Sequence, residues 1–132
     1  MRYDDDLSGL RPEDLADFFV GWPVAPSPEQ RLAILRGSDH VLLAHEEESE
    51  RLVGFVTAIT DGVLSAYIPL LEVLPEYQGS GVGTELMRRL LAKLGDLYMV
   101  DLVCDPQLET FYRRFGMAPL TGMALRNRAA LE

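Results

Sequence analysis

The chain has 132 residues, 48% of them hydrophobic and 25% charged, which is the size and composition of one globular domain. Its single cysteine, Cys104, excludes an internal disulfide framework and leads us to expect a reducing compartment, by default the cytoplasm. The net charge of −9 disfavours nucleic acid and anionic lipid as partners, and no uncharged stretch approaches the ~18 residues of a membrane span. We therefore expect residues 1–132 to form one domain with no metal site and with no nucleic-acid or membrane partner.

Two helices are predicted near the start of the chain. Residues 11–20 have Pro12 at the start and carry apolar side chains on one side, which predicts a short helix. Ser27, Pro28 and Gln30 form a capping-box start, and Gly37 is the predicted end of the second helix.

Three strands follow, because the apolar pattern becomes rich in Val, Leu, Ile and Phe. Their predicted ranges are 40–45, 52–60 and 63–74. Asp61 and Gly62 lie between the last two ranges and predict a two-residue hairpin turn, since both residues tolerate a positive φ.

The second half of the chain alternates helices and strands. Apolar residues at spacing four predict an amphipathic helix over residues 80–94. A strand over 97–104, a helix over 105–116 and a last strand over 117–125 complete the order. Neighbouring antiparallel strands followed by helical crossovers predict an α+β fold with a mixed, mostly antiparallel sheet flanked by helices.

Three alternating glycines, Gly79, Gly81 and Gly83, connect a predicted strand to the amphipathic helix. Glycine lets backbone N–H groups converge without a Cβ in the way, and the first turn of a helix offers unpaired N–H donors, so this loop suits a phosphate. The Walker motif requires a lysine that is absent here. The dinucleotide motif requires a glycine where the chain has Thr84, and it also requires a repeated βαβ setting.

The remaining pattern, Gln-x-x-Gly-x-Gly from Gln78 to Gly83, resembles the pyrophosphate loop of the GNAT superfamily of acyl-CoA-dependent N-acetyltransferases. The preceding residues, 73–79, also match the family pattern, and a strand with the sequence Val-Gly-Phe at 53–55 resembles the family's preceding strand. A second family motif is similar to residues 105–117, where Tyr112 and Gly116 match. Three positions of that motif depart from the family, with Asp105 for Asn, Leu108 for Ala and Met117 for Phe.

The resemblance implies a single GNAT-like domain in which the strand before the glycine loop splays from its neighbour and holds acetyl-CoA as co-substrate. Backbone N–H groups of the loop would bind the pyrophosphate, while Leu71 and Val73 would contact the pantetheine arm through backbone groups only. The implied cofactor-binding set is Leu71, Val73, Gln78, Gly79, Ser80, Gly81, Val82, Gly83, Asp105, Phe111 and Tyr112.

Transfer to an amine requires one group that removes a proton and another that supplies one to the departing thiolate. By its place in the second motif, Tyr112 resembles the family's acid, although a packed core tyrosine is the alternative. Some family members use a glutamate base on the strand before the loop, but Tyr67 stands at that position here. Glu72 or Tyr67 is the candidate base, and a water chain is the alternative. His40 and His45 could also titrate, but they lie on another predicted strand. An acyl intermediate on Cys104 is a minor alternative to direct transfer. Trp22 lies in a segment where family members often shape the acceptor pocket, or it simply covers the core.

The sequence therefore predicts an N-acetyltransferase that moves an acetyl group from acetyl-CoA directly to a primary amine of a small molecule or peptide. The acidic balance mildly favours a cationic acceptor, and homodimers are common in the superfamily. The alternative is an acyl-CoA-binding sensor or regulatory module with little transferase activity.

Overall fold

The computed structural model describes residues 1–132 and contains one six-stranded sheet and three α-helices. The strands are β1 (Arg2–Asp4), β2 (His40–His45), β3 (Leu52–Thr60), β4 (Ser65–Tyr67), β5 (Leu71–Val73) and β6 (Met99–Asp101). The helices are α1 (Pro28–Gly37), α2 (Val82–Lys93) and α3 (Glu109–Arg113), and short 3₁₀ turns occupy Pro12–Leu15, Pro75–Tyr77, Pro106–Leu108 and Arg128–Leu131. None of the helices combines the length and the apolar character that a membrane crossing requires.

The sheet is mixed and mostly antiparallel, which confirms the predicted α+β class. β1, β2 and β3 pair antiparallel in that order, and β3 pairs antiparallel with both β4 and β5. β6 pairs parallel with β4, because the chain crosses over through α2 between these two strands.

Both faces of β3 are covered. On one face, α2 presents its buried side chains, and a Cβ at Gly54 would lie only 3.2 Å from Cδ1 of Leu86, so glycine permits this close packing. On the other face, Phe55 packs against Phe18 with ring centroids 5.0 Å apart. The residues before α1 therefore form the second layer of the core.

The predicted start of α1 is confirmed in detail. Ser27 Oγ accepts the backbone N–H of Gln30 at 3.2 Å, and Gln30 Oε1 accepts the backbone N–H of Ser27 at 2.8 Å. This reciprocal pair satisfies two donors that the helix backbone cannot satisfy itself.

Three predicted elements in the first part of the chain differ from the structure, and one strand there was not predicted. The helix predicted over 11–20 is only a 3₁₀ turn, because the later carbonyl groups bind a buried arginine instead of continuing a helix. The strand predicted over 63–74 divides into β4 and β5 around Pro69, which has no N–H for a ladder. The predicted two-residue turn is a four-residue connection, in which the Asp61 carboxylate accepts the N–H groups of residues 63, 64 and 65. β1 was not predicted, since its short acidic sequence has no apolar alternation.

The last third of the chain is less regular than the sequence predicts. The strand predicted over 97–104 contains only β6, and the helix predicted over 105–116 is a 3₁₀ turn followed by α3. The strand predicted over 117–125 is wrong, because residues 117–126 form no backbone hydrogen bond. Pro119 lacks an N–H, and residues 102–105, which lie near Gly122, are in no strand and line a cavity instead.

Candidate functional site

A cavity opens where two strands of the sheet diverge. β4 and β6 pair as far as Tyr67 and Asp101, and the N–H of Ile68 donates to the Asp101 carbonyl at 3.0 Å. Beyond that point the chain turns back to β3, where the N–H of Thr57 donates to the Leu70 carbonyl at 3.0 Å. The space between β5 and residues 102–105 is a cavity of about 450 Å³, so the predicted splayed strand pair is present.

Three segments besides β5 line this cavity, and most of the lining is hydrophobic. Residues 102–105 form the opposite wall, together with Leu108 and Tyr112. The segment before α1 contributes Asp17, Phe18, Val20 and Trp22, and the C-terminal segment contributes Arg126. The mixture of apolar walls and a few polar groups is typical of a small-molecule site.

The backbone of β5 offers hydrogen-bonding groups to the cavity. The carbonyl of Leu70 and the N–H of Leu74 bond to β3, at 3.0 Å and 2.9 Å respectively. Because backbone groups alternate along a strand, the N–H groups of Leu71 and Val73 point away from β3 and towards the gap. Both residues line the cavity.

The glycine loop, residues 78–83, begins at the end of the cavity, where Gln78 is a lining residue. The six consecutive N–H groups of residues 79–84 donate to no acceptor within the chain. Gly79 has φ of 78° and Gly81 has φ of 91°, values that favour glycine, and a Cβ at either position would meet no protein atom within 4 Å. Gly81 is also the residue that caps α2, so the free N–H groups lie at a helix N-terminus and suit a phosphate group.

Side chains around the glycine loop fix its shape. The Gln78 amide donates to the Val73 carbonyl at 3.0 Å, and Ser80 Oγ donates to the Tyr77 carbonyl. Val82 is buried, so its side chain belongs to the core. Phe111 lies 3.6 Å from the Cβ position of Gly83 and therefore packs the start of α2 against α3, outside the cavity lining.

Tyr112 lines the cavity and is half-buried, and its hydroxyl has no hydrogen-bond partner in the chain. Its ring packs edge-on against Phe111, with centroids 4.9 Å apart. Burial, together with the nearby Cys104 thiol, raises the pKa of Tyr112 to about 12. The phenol therefore retains its proton at neutral pH and can donate it.

Glu72 extends from β5 towards the segment before α1. One carboxylate oxygen, Oε1, accepts the backbone N–H of Phe19 at 2.8 Å, and the other, Oε2, is buried with no partner. Burial raises the pKa of Glu72 above its ordinary value, while the Phe19 N–H and the charge of Arg31 oppose that rise. An incompletely paired carboxylate in a largely apolar cavity can bind a cation or accept a proton.

The remaining predicted site residues occupy different places. Asp105 and Cys104 both line the cavity on the wall opposite β5. Tyr67 lies on β4, before the strands diverge, and is not among the residues that line the cavity. The structure thus brings Glu72, Tyr112 and Asp105 to one cavity and leaves Tyr67 apart from them.

Sequence reasoning missed Arg31, which organises the segment before α1. Its guanidinium donates to the carbonyl groups of Pro26, Leu15 and Ala16 at 2.8–2.9 Å and to that of Phe18 at 3.2 Å. The side chain is buried, at 9% exposure. The available signal was a lone arginine beside Leu32, on the helix face that carries the apolar residues.

A profile of the Acetyltransferase (GNAT) family matches residues 7–117. Curated relatives include the uncharacterized N-acetyltransferase ycf52 of Porphyra purpurea, which is 32% identical over 107 residues, or 79% of this chain and 61% of that protein. The histone acetyltransferase TAP1 of Glycine max is 33% identical over 108 residues, or 74% of this chain and 46% of that protein. The chain thus spans about half the length of the curated relatives it matches.

Solved structures show the same fold. A candidate acetyltransferase from Deinococcus radiodurans R1 is 44% identical, with a TM-score of 0.92, and the match covers 97% of this chain and 89% of that one. The GNAT family protein SP0256 from Streptococcus pneumoniae TIGR4 is 28% identical, with a TM-score of 0.75, and the match covers 96% of both chains. Because the family profile spans the glycine loop, the cavity and most of the sheet, the chain belongs to the GNAT family of acetyltransferases.

Proposed function

We propose that this protein is an N-acetyltransferase that uses acetyl-CoA and transfers the acetyl group directly to a primary amine. The observation that carries the proposal is the run of six unpaired N–H groups over residues 79–84, next to a cavity between diverging strands. Such a run at a helix N-terminus suits the pyrophosphate of coenzyme A, and the cavity suits its pantetheine arm. Family membership supports the same assignment.

Acetyl-CoA, when bound, supplies the thioester that an amine attacks. The N–H groups of Leu71 and Val73 point into the cavity and are the donors that we assign to the pantetheine arm and the thioester carbonyl. In this proposal, residues 78–83 bind the pyrophosphate, and Phe111 packs against Gly83 and supports that loop. Asp105 lines the cavity on the wall opposite β5.

Two residues handle the protons in this proposal. Glu72 accepts a proton from the incoming ammonium, because its Oε2 has no other partner. Tyr112 donates its phenolic proton to the departing thiolate and regains one from the newly formed amide nitrogen through solvent. Tyr67 is a weaker candidate for the base because it does not line the cavity.

The acceptor class, the compartment and the assembly are further parts of the proposal. One relative is named a histone acetyltransferase, so a peptide amine and a small-molecule amine both remain candidate acceptors. Residues 1–132 would act as one domain, as a monomer or homodimer. The single cysteine supports a reducing compartment such as the cytoplasm, although two Arabidopsis thaliana relatives are named chloroplastic.

Two measurements test the function and separate it from the alternative of an acyl-CoA sensor. Calorimetric titration with acetyl-CoA reports binding, and detection of free thiol with a panel of amines reports transfer. An enzyme binds acetyl-CoA and releases thiol faster with at least one amine than without any amine. Binding with no amine-dependent release would establish the sensor, and absence of binding by folded protein would contradict both.

A further inference from the structure

We propose that the acceptor is a primary amine carried on an apolar, aromatic-sized group, with its ammonium on Glu72 and its hydrocarbon against Trp22. The inference rests on the proposed function and goes beyond it by naming the substrate class and the residue that selects it. Trp22 is thus assigned a specificity role.

The carboxylate of Glu72 supplies the cation-binding half of the site. Its Oε2 is buried without a partner, and the nearby Arg31 donates from Nε and Nη1 to backbone carbonyl groups and forms no ion pair with this carboxylate. A buried, half-satisfied carboxylate is costly, so a donor from a ligand is a favourable way to complete it. An alkylammonium provides both the charge and the hydrogen bonds.

Trp22 supplies the apolar half. The residue is 45% exposed, although its ring packs edge-on against the Phe19 ring at 5.0 Å between centroids. Phe19 is also the residue whose N–H binds Glu72, so a single residue links the aromatic wall to the carboxylate. An aromatic ring and a carboxylate that line one cavity are suited to an organic ammonium, because the ring interacts with both the positive charge and the attached hydrocarbon.

This wall is organised before any ligand arrives. The acceptor loop, residues 16–26, is held by the Arg31 guanidinium at carbonyl groups near both of its ends. Within the loop, Phe19 has φ of 64°, a conformation that non-glycine residues adopt only when the surroundings require it. Because the loop is already ordered, it loses little conformational entropy when a ligand binds, which favours a small ligand with a defined shape.

Two other charged groups at the cavity, Asp17 and Arg126, define the competing classes of acceptor. Asp17 lines the same wall but is paired with Arg51 at 3.2 Å, so it offers little to the second ammonium of a diamine. Arg126 lines the cavity without an ion-pair partner, so an amine that also bears a carboxylate is the competing class to be tested. The lining around Trp22 is otherwise apolar, with Phe18 and Val20.

Trp22 is the only tryptophan of the chain, so its fluorescence reports directly on this site. We would titrate 2-phenylethylamine, ethanolamine, 1,4-diaminobutane and phenylalanine at about pH 7, where all the amino groups are largely protonated. Titrations with and without coenzyme A would be compared, and thiol release would be measured with acetyl-CoA. We expect 2-phenylethylamine to bind at least about tenfold more tightly than ethanolamine and to change the Trp22 emission.

Variants separate the two halves of the site. Calorimetry with Trp22→Ala is expected to remove the preference for 2-phenylethylamine, whereas Trp22→Phe retains most of it. Glu72→Gln is expected to weaken both amines, because it removes the charge that they share. Tyr98→Ala is the matched control, since Tyr98 is an exposed aromatic residue outside the cavity lining.

The outcomes separate the proposed acceptor class from the proposed transferase function. Equal binding of all four amines, a preference that survives Trp22→Ala, or tighter binding of 1,4-diaminobutane or phenylalanine would overturn the inference while leaving the transferase intact. Selective binding of 2-phenylethylamine without thiol release would support the site and contradict the transferase function.

Discussion

The carboxylate of Glu72 accepts the backbone N–H of Phe19 at 2.8 Å and thereby joins β5 to the acceptor loop. The two residues are 53 positions apart in the chain. β5 carries the backbone groups proposed for the cofactor, and the acceptor loop carries the wall proposed for the amine. One hydrogen bond therefore holds the two halves of the proposed active site in register.

Replacing Glu72 with Gln is expected to raise the stability of the folded protein at neutral pH. The amide keeps an acceptor for the Phe19 N–H and removes a buried charge whose Oε2 is unpaired. Burial raises the pKa of Glu72 above 4.5, so the folded state binds this proton more tightly than the unfolded chain does. The wild type is thus most stable, relative to the variant, below pH 4.5, and it loses that stability as the pH rises through the raised pKa.

Thermal unfolding of both proteins as a function of pH measures this difference. Arg31 lowers the pKa of Glu72, and the charged cavity residues Asp17, Asp105 and Arg126 are common to both proteins. A difference in Tm between the wild type and Glu72→Gln that is the same at every pH would contradict the assignment of Glu72 as a carboxylate whose charge is disfavoured by burial.

Replacing Arg31 with Met is expected to destabilise the fold by about 3 kcal/mol, because buried carbonyl groups lose a charged donor. Arg31→Lys should recover part of this loss, since it keeps the charge but not the planar fork. The matched control is Arg36→Met on the same helix, where the arginine is exposed and the change should stay within about 0.5 kcal/mol. Urea unfolding measures the stability of all three variants. Equal losses of stability at the two arginines would contradict the stabilising role of the hydrogen bonds from Arg31 to backbone carbonyl groups.

Replacing Gly81 with Ala is expected to weaken acetyl-CoA binding by about tenfold or more, because the new Cβ points into space that the protein leaves open beside the free N–H groups. The backbone strain at φ of 91° should also cost roughly 1 kcal/mol of stability.

Gly62→Ala separates these two effects. Gly62 has φ of 76° and equally open surroundings, but it lies in the β3–β4 connection. Both variants should lose similar stability, whereas calorimetry should show weaker acetyl-CoA binding only for Gly81→Ala. Equal affinities in the two variants would remove the glycine loop from the proposed binding site.

Replacing Tyr112 with Phe is expected to lower kcat by about 100-fold and to leave the affinity for acetyl-CoA nearly unchanged, since only the donated proton is lost. Because its pKa is about 12, Tyr112 stays protonated through the accessible range, and the wild-type pH-rate profile should show no decline from this group below about pH 11. Tyr98→Phe, at an exposed tyrosine, is the control. An unchanged kcat in Tyr112→Phe would leave this residue a packing role only.

Several features of this protein follow from interactions between residues that are close in the sequence. The capping box at Ser27, the amphipathic face of α2 and the glycine spacing at Gly79, Gly81 and Gly83 depend on neighbours within a few residues, so the sequence alone predicted them together with the α+β class. The motif residues also predicted a cofactor role for Tyr112, which lines the cavity, and that role stays a prediction.

Only the tertiary structure decided how the acceptor side is built. The helix predicted over 11–20 gave way to a loop because Arg31 binds its carbonyl groups, and Glu72 found its N–H partner at Phe19 on a distant part of the chain. Likewise, the strand predicted over 117–125 did not form: residues 102–105 are in no strand, and residues 117–126 make no backbone hydrogen bond. Periodicity reports the propensity of a segment, whereas these outcomes depend on which donors and acceptors the fold brings within reach.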